Sequence, residues 1–277
     1  MKTIPEGRSP RELEDFVKQH PRGDACHSWD AFCTGTSNRK KALMRSLYER
    51  QKGICAYCEI RLDSPDEDLD EGKRDLQVEH FHPKRDDETS PSQDCCWGLY
   101  WPNLFAACLG GTQADVRNPC HYCASTPGED NHHCGESNGK GGDILDGTIL
   151  NPHDIDAKSR LFTFWYADGS RDRIYLKPYE EGCRAAGVQA ELVQNTIERL
   201  NLNCRLLAKL RGGAKAAVEK RIKKFKQSGV GDQEAIKRAV RMAFSTEDGL
   251  WPEFFTTLRA LYPTAAEDYL KSQDYQG

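Results

Sequence analysis

The sequence predicts an α+β fold in which helices at both ends enclose a small, irregular centre. Three observations predict it. Apolar residues recur at helical spacing over residues 9–52 and again from about residue 184 onward. Between them, residues 53–150 hold short apolar pieces, many Gly and Pro, and eight of the twelve cysteines: Cys55, Cys58, Cys95, Cys96, Cys108, Cys120, Cys123 and Cys134. A hairpin signal then separates this centre from the tail. The expected divisions are 1–50, an N-terminal helical arm; 51–178, the core with its hairpin; and 179–277, a C-terminal helical region.

Taken in order, Ser9 can cap a first helix, Pro10 suits its first position and Glu12 completes a capping box ahead of Leu13, Phe16 and Val17. Pro21 ends it. Leu43, Leu47 and Tyr48 make the stripe of a second helix over residues 39–52, closed by Gly53. Residues 110–143 are so loop-like that a compact domain needs something to pin them. In residues 160–176, Phe162, Phe164 and Tyr166 alternate before Asp168-Gly169, the pattern of a hairpin. Val188, Leu192, Leu200, Leu206 and Leu210 then trace helices expected to break at Gly212-Gly213. Three more follow, carried by Val218, Ile222 and Phe225; by Ile236, Ala239, Val240 and Ala243; and by Phe254, Leu258 and Leu261.

At 277 residues, 38% hydrophobic and 30% charged, the chain reads as a soluble and rather polar protein, and its apolar runs fall short of a membrane span. The start MKTIPEGRSPREL carries no apolar signal region, so a cytoplasmic location is expected. A net charge of −4 hides an internal polarity: residues 63–75 are strongly acidic, whereas residues 205–241 hold twelve Lys or Arg against three acids. A local basic face is thus available for nucleic acid, although a solvated helix face is the commoner use of such a run.

In a reducing compartment, clustered cysteines favour metal ligation over cross-linking. In "GICAYCE", Cys55 and Cys58 have the spacing with which two thiolates grip a tetrahedral Zn²⁺ from one turn. A redox Cys-x-x-Cys would need a βαβ frame, which is missing. The second pair is open among Cys108, Cys134 and the Cys120/Cys123 pair of "CHYC". The stretch "LQVEHFHPKR" then packs Glu79, His80 and His82 ahead of Pro83. "WPNLFAAC" follows with Asn103 and Cys108, and "NHHCG" with His132, His133 and Cys134.

Cys-x-x-Cys, Glu-His, Asn, Cys and His-Cys, in that order, resemble the HNH endonucleases. The segments "CAYCE", "EHFHPK", "NLFAAC" and "HHCG", spanning residues 55–135, are similar in particular to the HNH component of Septu-type and retron-associated bacterial anti-phage systems. That resemblance implies a zinc-stapled ββα-metal core and metal-dependent hydrolysis of DNA. It implies His80 as the base, Glu79 as ligand of a catalytic divalent ion such as Mg²⁺, and Asn103 as holder of the catalytic loop. His133 is preferred over His132 and Asn138 to complete the site. The implied zinc quartet is Cys55, Cys58, Cys108 and Cys134; alternatively Cys120 and Cys123 replace one pair, or bind a second zinc with Cys95, Cys96 or His121. It further implies an ABC- or SMC-like ATPase partner that controls cutting. A zinc-structured binding module without catalysis is the alternative. Glu79 and His80 are neighbours, so they serve one site only if their strand ends or kinks there; His82 reads as a bystander.

Overall fold

The computed structural model describes residues 1–25, 27–34, 37–67, 75–86, 89–110, 132–134, 147–167, 171–245 and 248–277. Three helices come first: α1 (Arg11–Gln19), α2 (Trp29–Thr34) and α3 (Ser37–Gln51). Pro10 rather than Ser9 occupies the N-cap of α1, because its carbonyl takes the first helical bonds, from Leu13 and Glu14. The six residues of α2 are too few to show a period, and it was not expected. Its Phe32 is fully buried and meets the Phe16 ring edge-on at 5.3 Å.

Strands β1 (Gln77–His80) and β2 (Leu104–Ala107) form an antiparallel ribbon, with Gln77 opposite Ala107 and His80 opposite Leu104. The outer edge of β2 is not left to water. Gln51, buried at the end of α3, accepts from the Ala106 amide at 2.7 Å and donates to the Ala106 carbonyl at 2.8 Å. A glutamine side chain thus satisfies a strand edge that would otherwise pair with another chain. The second ribbon, β3 (Phe162–Tyr166) with β4 (Ile174–Pro178), is the hairpin read from the alternation; its turn at Asp168-Gly169 lies outside the described residues.

The tail comprises α4 (Glu180–Ala186), α5 (Ala190–Arg199), α6 (Arg205–Gln227), α7 (Asp232–Phe244), α8 (Phe255–Leu261) and α9 (Pro263–Ser272). The expected break at Gly212-Gly213 does not occur: α6 runs through both glycines. A Cβ on Gly212 would lie 1.9 Å from the Asp172 carbonyl oxygen, so glycine is there for close approach of helix to ribbon rather than to end the helix. The adjacent Arg211 is buried, its guanidinium donating to the Leu202 carbonyl at 2.7 Å.

Buried residues from the arm, the centre and the tail, Phe16 and Leu47, Tyr57 and Phe105, Val193 and Leu200, belong to one continuous hydrophobic cluster. A second, around Val240, Phe244, Trp251 and Phe255, fills the C-terminal helices. Among the described residues, no helix is long and apolar enough to cross a membrane.

Candidate active site and metal centre

Residues Gly53–Leu62 double back on themselves. Ile54 bridges Arg61, the Leu62 amide donates to the Gly53 carbonyl at 3.0 Å, and the Cys55 amide to the Ile60 carbonyl at 2.9 Å. Glu59 takes a left-handed φ of +65° to close the turn. Its buried carboxylate then accepts from the Thr256 amide, at 2.8 Å, and from the Thr256 hydroxyl, at the N-terminus of α8. This knuckle presents Cys55 and Cys58 inward. Cys108 arrives directly after β2. Cys134 is held by its amide, which donates to the Leu200 carbonyl at 3.0 Å.

The four sulfurs lie within 4.8 Å of one another, all buried. Cys55 and Cys134 are 3.8 Å apart, Cys58 and Cys108 3.6 Å, Cys108 and Cys134 3.7 Å. A disulfide would need about 2.0 Å. A tetrahedral zinc, with Zn–S near 2.3 Å, spaces its ligands about 3.8 Å apart, and soft thiolates suit that ion. The quartet therefore fits a tetrahedral ion. Burial alone would raise the Cys58 thiol, but hydrogen bonds from Cys108, Cys134 and Cys55 hold it well below its ordinary value. Cys120, His121 and Cys123 lie outside the described residues. Cys95 and Cys96 stand apart from the quartet: burial pushes Cys95 up to about 12, and the Cys96 amide donates to His27 Nε2 at 3.2 Å.

His133 belongs to this end of the ribbon. It is buried, with Nε2 3.6 Å from Cys108 Sγ. Burial opposes its protonation, yet the sulfurs of Cys204 and Cys58 outweigh burial and hold the imidazole well above its ordinary range. Cys108 adjoins the Gln77/Ala107 pair, whereas His80 pairs with Leu104 at the opposite end. At about 3.4 Å per residue, the two ends are about 10 Å apart. The structure thus brings His133 to the cysteines and not to the end where His80 stands. Asn138 lies outside the described residues, and the His132 carbonyl accepts from Asn201 Nδ2 at 2.8 Å.

At the other end β1 stops at His80, and Glu79 stands half-buried opposite Phe105. Asn103 is 4% exposed and works as a clamp. Its Oδ1 accepts from the His82 amide at 2.7 Å, while Nδ2 donates to the carbonyls of His82 and Trp97, each at 2.9 Å. Its own carbonyl accepts from the Phe81 amide at 3.0 Å. The chain leaving His80 is therefore fixed by one residue, through both its side chain and its backbone carbonyl. His80 Nε2 lies 3.2 Å from the Gly98 carbonyl, and Trp29 of α2 meets its ring edge-on at 4.7 Å. A carbonyl only accepts, so Nε2 carries the proton and Nδ1 keeps its lone pair. Burial, only partly offset by the Gly98 hydrogen bond, lowers the His80 pKa to about 4, so the ring is neutral at pH 7. Lys84 and Arg85 both reach Asp30 of α2, at 3.7 and 3.4 Å.

Sequence reasoning missed Trp29, Gly98 and His82. Nothing local links Trp29 to His80, some fifty residues on. His82, read as a bystander, is 4% exposed and paired with Asp86 at 2.7 Å, a four-residue spacing that was visible.

No protein-family model matches the chain. It is 31% identical over 214 residues, covering 74% of this chain and 75% of the relative, to an Escherichia coli protein named "Retron Ec83 putative HNH endonuclease". With that identity sustained over three quarters of both proteins, the chain belongs to the HNH endonuclease family.

Proposed function

We propose that this protein is a metal-dependent endonuclease that hydrolyses DNA phosphodiester bonds, with β1 and β2 as the two strands of a ββα-metal core. The observation that carries the reading is the His80 imidazole at a strand end, neutral, with Nε2 engaged by a carbonyl and its loop clamped by Asn103. His80 Nδ1 takes a proton from the attacking water. Glu79 is the carboxylate for a divalent ion such as Mg²⁺, whose chemistry is to offset charge on the phosphate and the leaving oxygen. Asn103 holds the loop. The quartet Cys55, Cys58, Cys108 and Cys134 holds a structural Zn²⁺, and His133 lies against that site rather than beside the base.

Exposed Lys220, Arg221, Lys223 and Lys224 on α6 offer a phosphate-binding face. The word retron in the name of the E. coli relative favours a role in bacterial defence; the motif resemblance, not that name, is what suggests cutting controlled by a partner ATPase that docks on the helical arm and tail. Mg²⁺-dependent cleavage by the purified protein tests the core of this reading. His80→Ala should abolish it with zinc content and folding intact; unchanged cleavage overturns His80 as the base, whereas no cleavage by the wild-type protein leaves a zinc-structured binding module. Co-purification with an ATPase encoded beside it tests the partner, and failure to co-elute removes that part.

A further inference from the structure

Behind the His80 loop stands a closed ring of side chains. His82 Nε2 donates to Asp86 Oδ2 at 2.7 Å. The Thr89 hydroxyl donates to the same oxygen, and the Thr89 amide to Asp86 Oδ1 at 3.2 Å. Trp97 donates its indole N–H to the Thr89 hydroxyl oxygen at 2.9 Å. The Trp97 ring lies on the His82 imidazole, centroids 3.9 Å apart and planes 24° apart, which closes the circuit. Asn103 ties the two backbone corners, at His82 and Trp97, through the bonds already described.

The ring bears on His80 through Gly98. This residue follows Trp97, and its carbonyl is the one facing His80 Nε2. It sits close against its neighbours, where a Cβ would meet Trp29 Cβ at 3.2 Å and the Lys84 carbonyl oxygen at 3.4 Å. An imidazole and a carboxylate at the rim of the core are a costly filling compared with apolar side chains of that size, so such a pair serves orientation better than stability. We propose that His82, Asp86, Thr89 and Trp97 are positioning residues: the ring fixes Trp97 and with it the adjoining Gly98, whose carbonyl holds His80 in the Nε2–H tautomer with Nδ1 directed to the attacking water. This rests on the reading of His80 as the base.

The test uses the full chain and three variants at the ring's outer side, where Thr89 is exposed: Asp86→Asn, Thr89→Val and Thr89→Ser. Mg²⁺-dependent DNA cleavage gives kcat and KM, the ¹⁵N shifts of His80 give its tautomer, and thermal melting is read on the same samples. Asp86→Asn should lower kcat about 10–100-fold, the scale of a displacement of up to about 1 Å. KM for DNA should hold, and an Nδ1–H population should appear at His80. Thr89→Val should show the same pattern more weakly, with Thr89→Ser, which keeps the hydroxyl, recovering most of the rate. Unchanged kcat and tautomer in Asp86→Asn and Thr89→Val overturn the proposal, as does a rate loss matched by melting with the tautomer intact. If His80→Ala itself still cleaves, the reading of His80 as the base falls, and the tautomer readout still decides whether the ring positions His80.

Discussion

At its Gln77/Ala107 end the first ribbon is gripped by four buried sulfurs, whereas at its His80/Leu104 end it is held by neutral hydrogen bonds and stacked rings. Cys55, Cys58, Cys108 and Cys134 are each 3% exposed or less; His80 is only half-buried, and Thr89 nearby faces solvent. The closed end has the character of a structural metal site and the open end that of a place where something must enter. The difference teaches how a centre with little aliphatic core can carry chemistry. A metal staple at one end would leave the other free to hold polar groups that no hydrophobic core would tolerate.

The comparison breaks most visibly at the closed end. Cys108→Ser should lose the ion and with it the local fold, because a structural zinc contributes roughly 10–16 kcal/mol in small domains. Elemental analysis and thermal melting check this; a variant that keeps one zinc and its melting point would mean that the quartet is no staple. At the open end Asn103→Ala should strand the His82 amide and two carbonyls, at about 1–3 kcal/mol for each buried group. Its melting point should fall while zinc is retained, so zinc loss here would show that the two ends are not separable. Gly212→Ala, at neither end, should cost about 1–3 kcal/mol through its clash with Asp172. Zinc content and the residual cleavage per folded molecule should not change, which makes it the reference for mere instability.

The smallest effect is electrostatic. Burial holds folded His80 at about 4 against an ordinary 6.5, so it is neutral in both folded and unfolded states above pH 6.5. As pH falls from 6.5 towards 4, the unfolded chain binds the proton first, and folded stability declines over that window. Denaturant melts at pH 7 and pH 4.5 should therefore show a smaller acid loss in His80→Gln than in the wild type. An equal loss would place the His80 ring in water.

What the sequence made legible were the features carried by local spacing. The cysteine knuckle, the β3–β4 alternation and the long stripes of the tail each lie within one window. Asn103 was legible through its motif, although that it bridges His82 and Trp97 was not. Three features escaped because their cause is distant in the chain. Gly212 looks like a helix breaker until Asp172 is seen against it. Trp29 sits on a six-residue helix whose reason is the ring it covers. His133 follows the ligand order of a motif, but only the strand register shows which end of the ribbon it reaches.

Glu59 has a reach beyond its own turn. It directly follows Cys58, and its carboxylate caps α8 through Thr256. The knuckle that offers Cys55 and Cys58 to an ion therefore also anchors, through Glu59, a helix nearly two hundred positions further along the chain. An ion bound only by the folded knuckle stabilises it by mass action, and that free energy is shared with whatever the knuckle holds. A metal held by the quartet would thereby be a folding ligand for the tail as well as for the core. Chelation would register as fraying of α8 and of the Trp251–Phe255 packing beside it, a reporter far in sequence from any cysteine of the quartet.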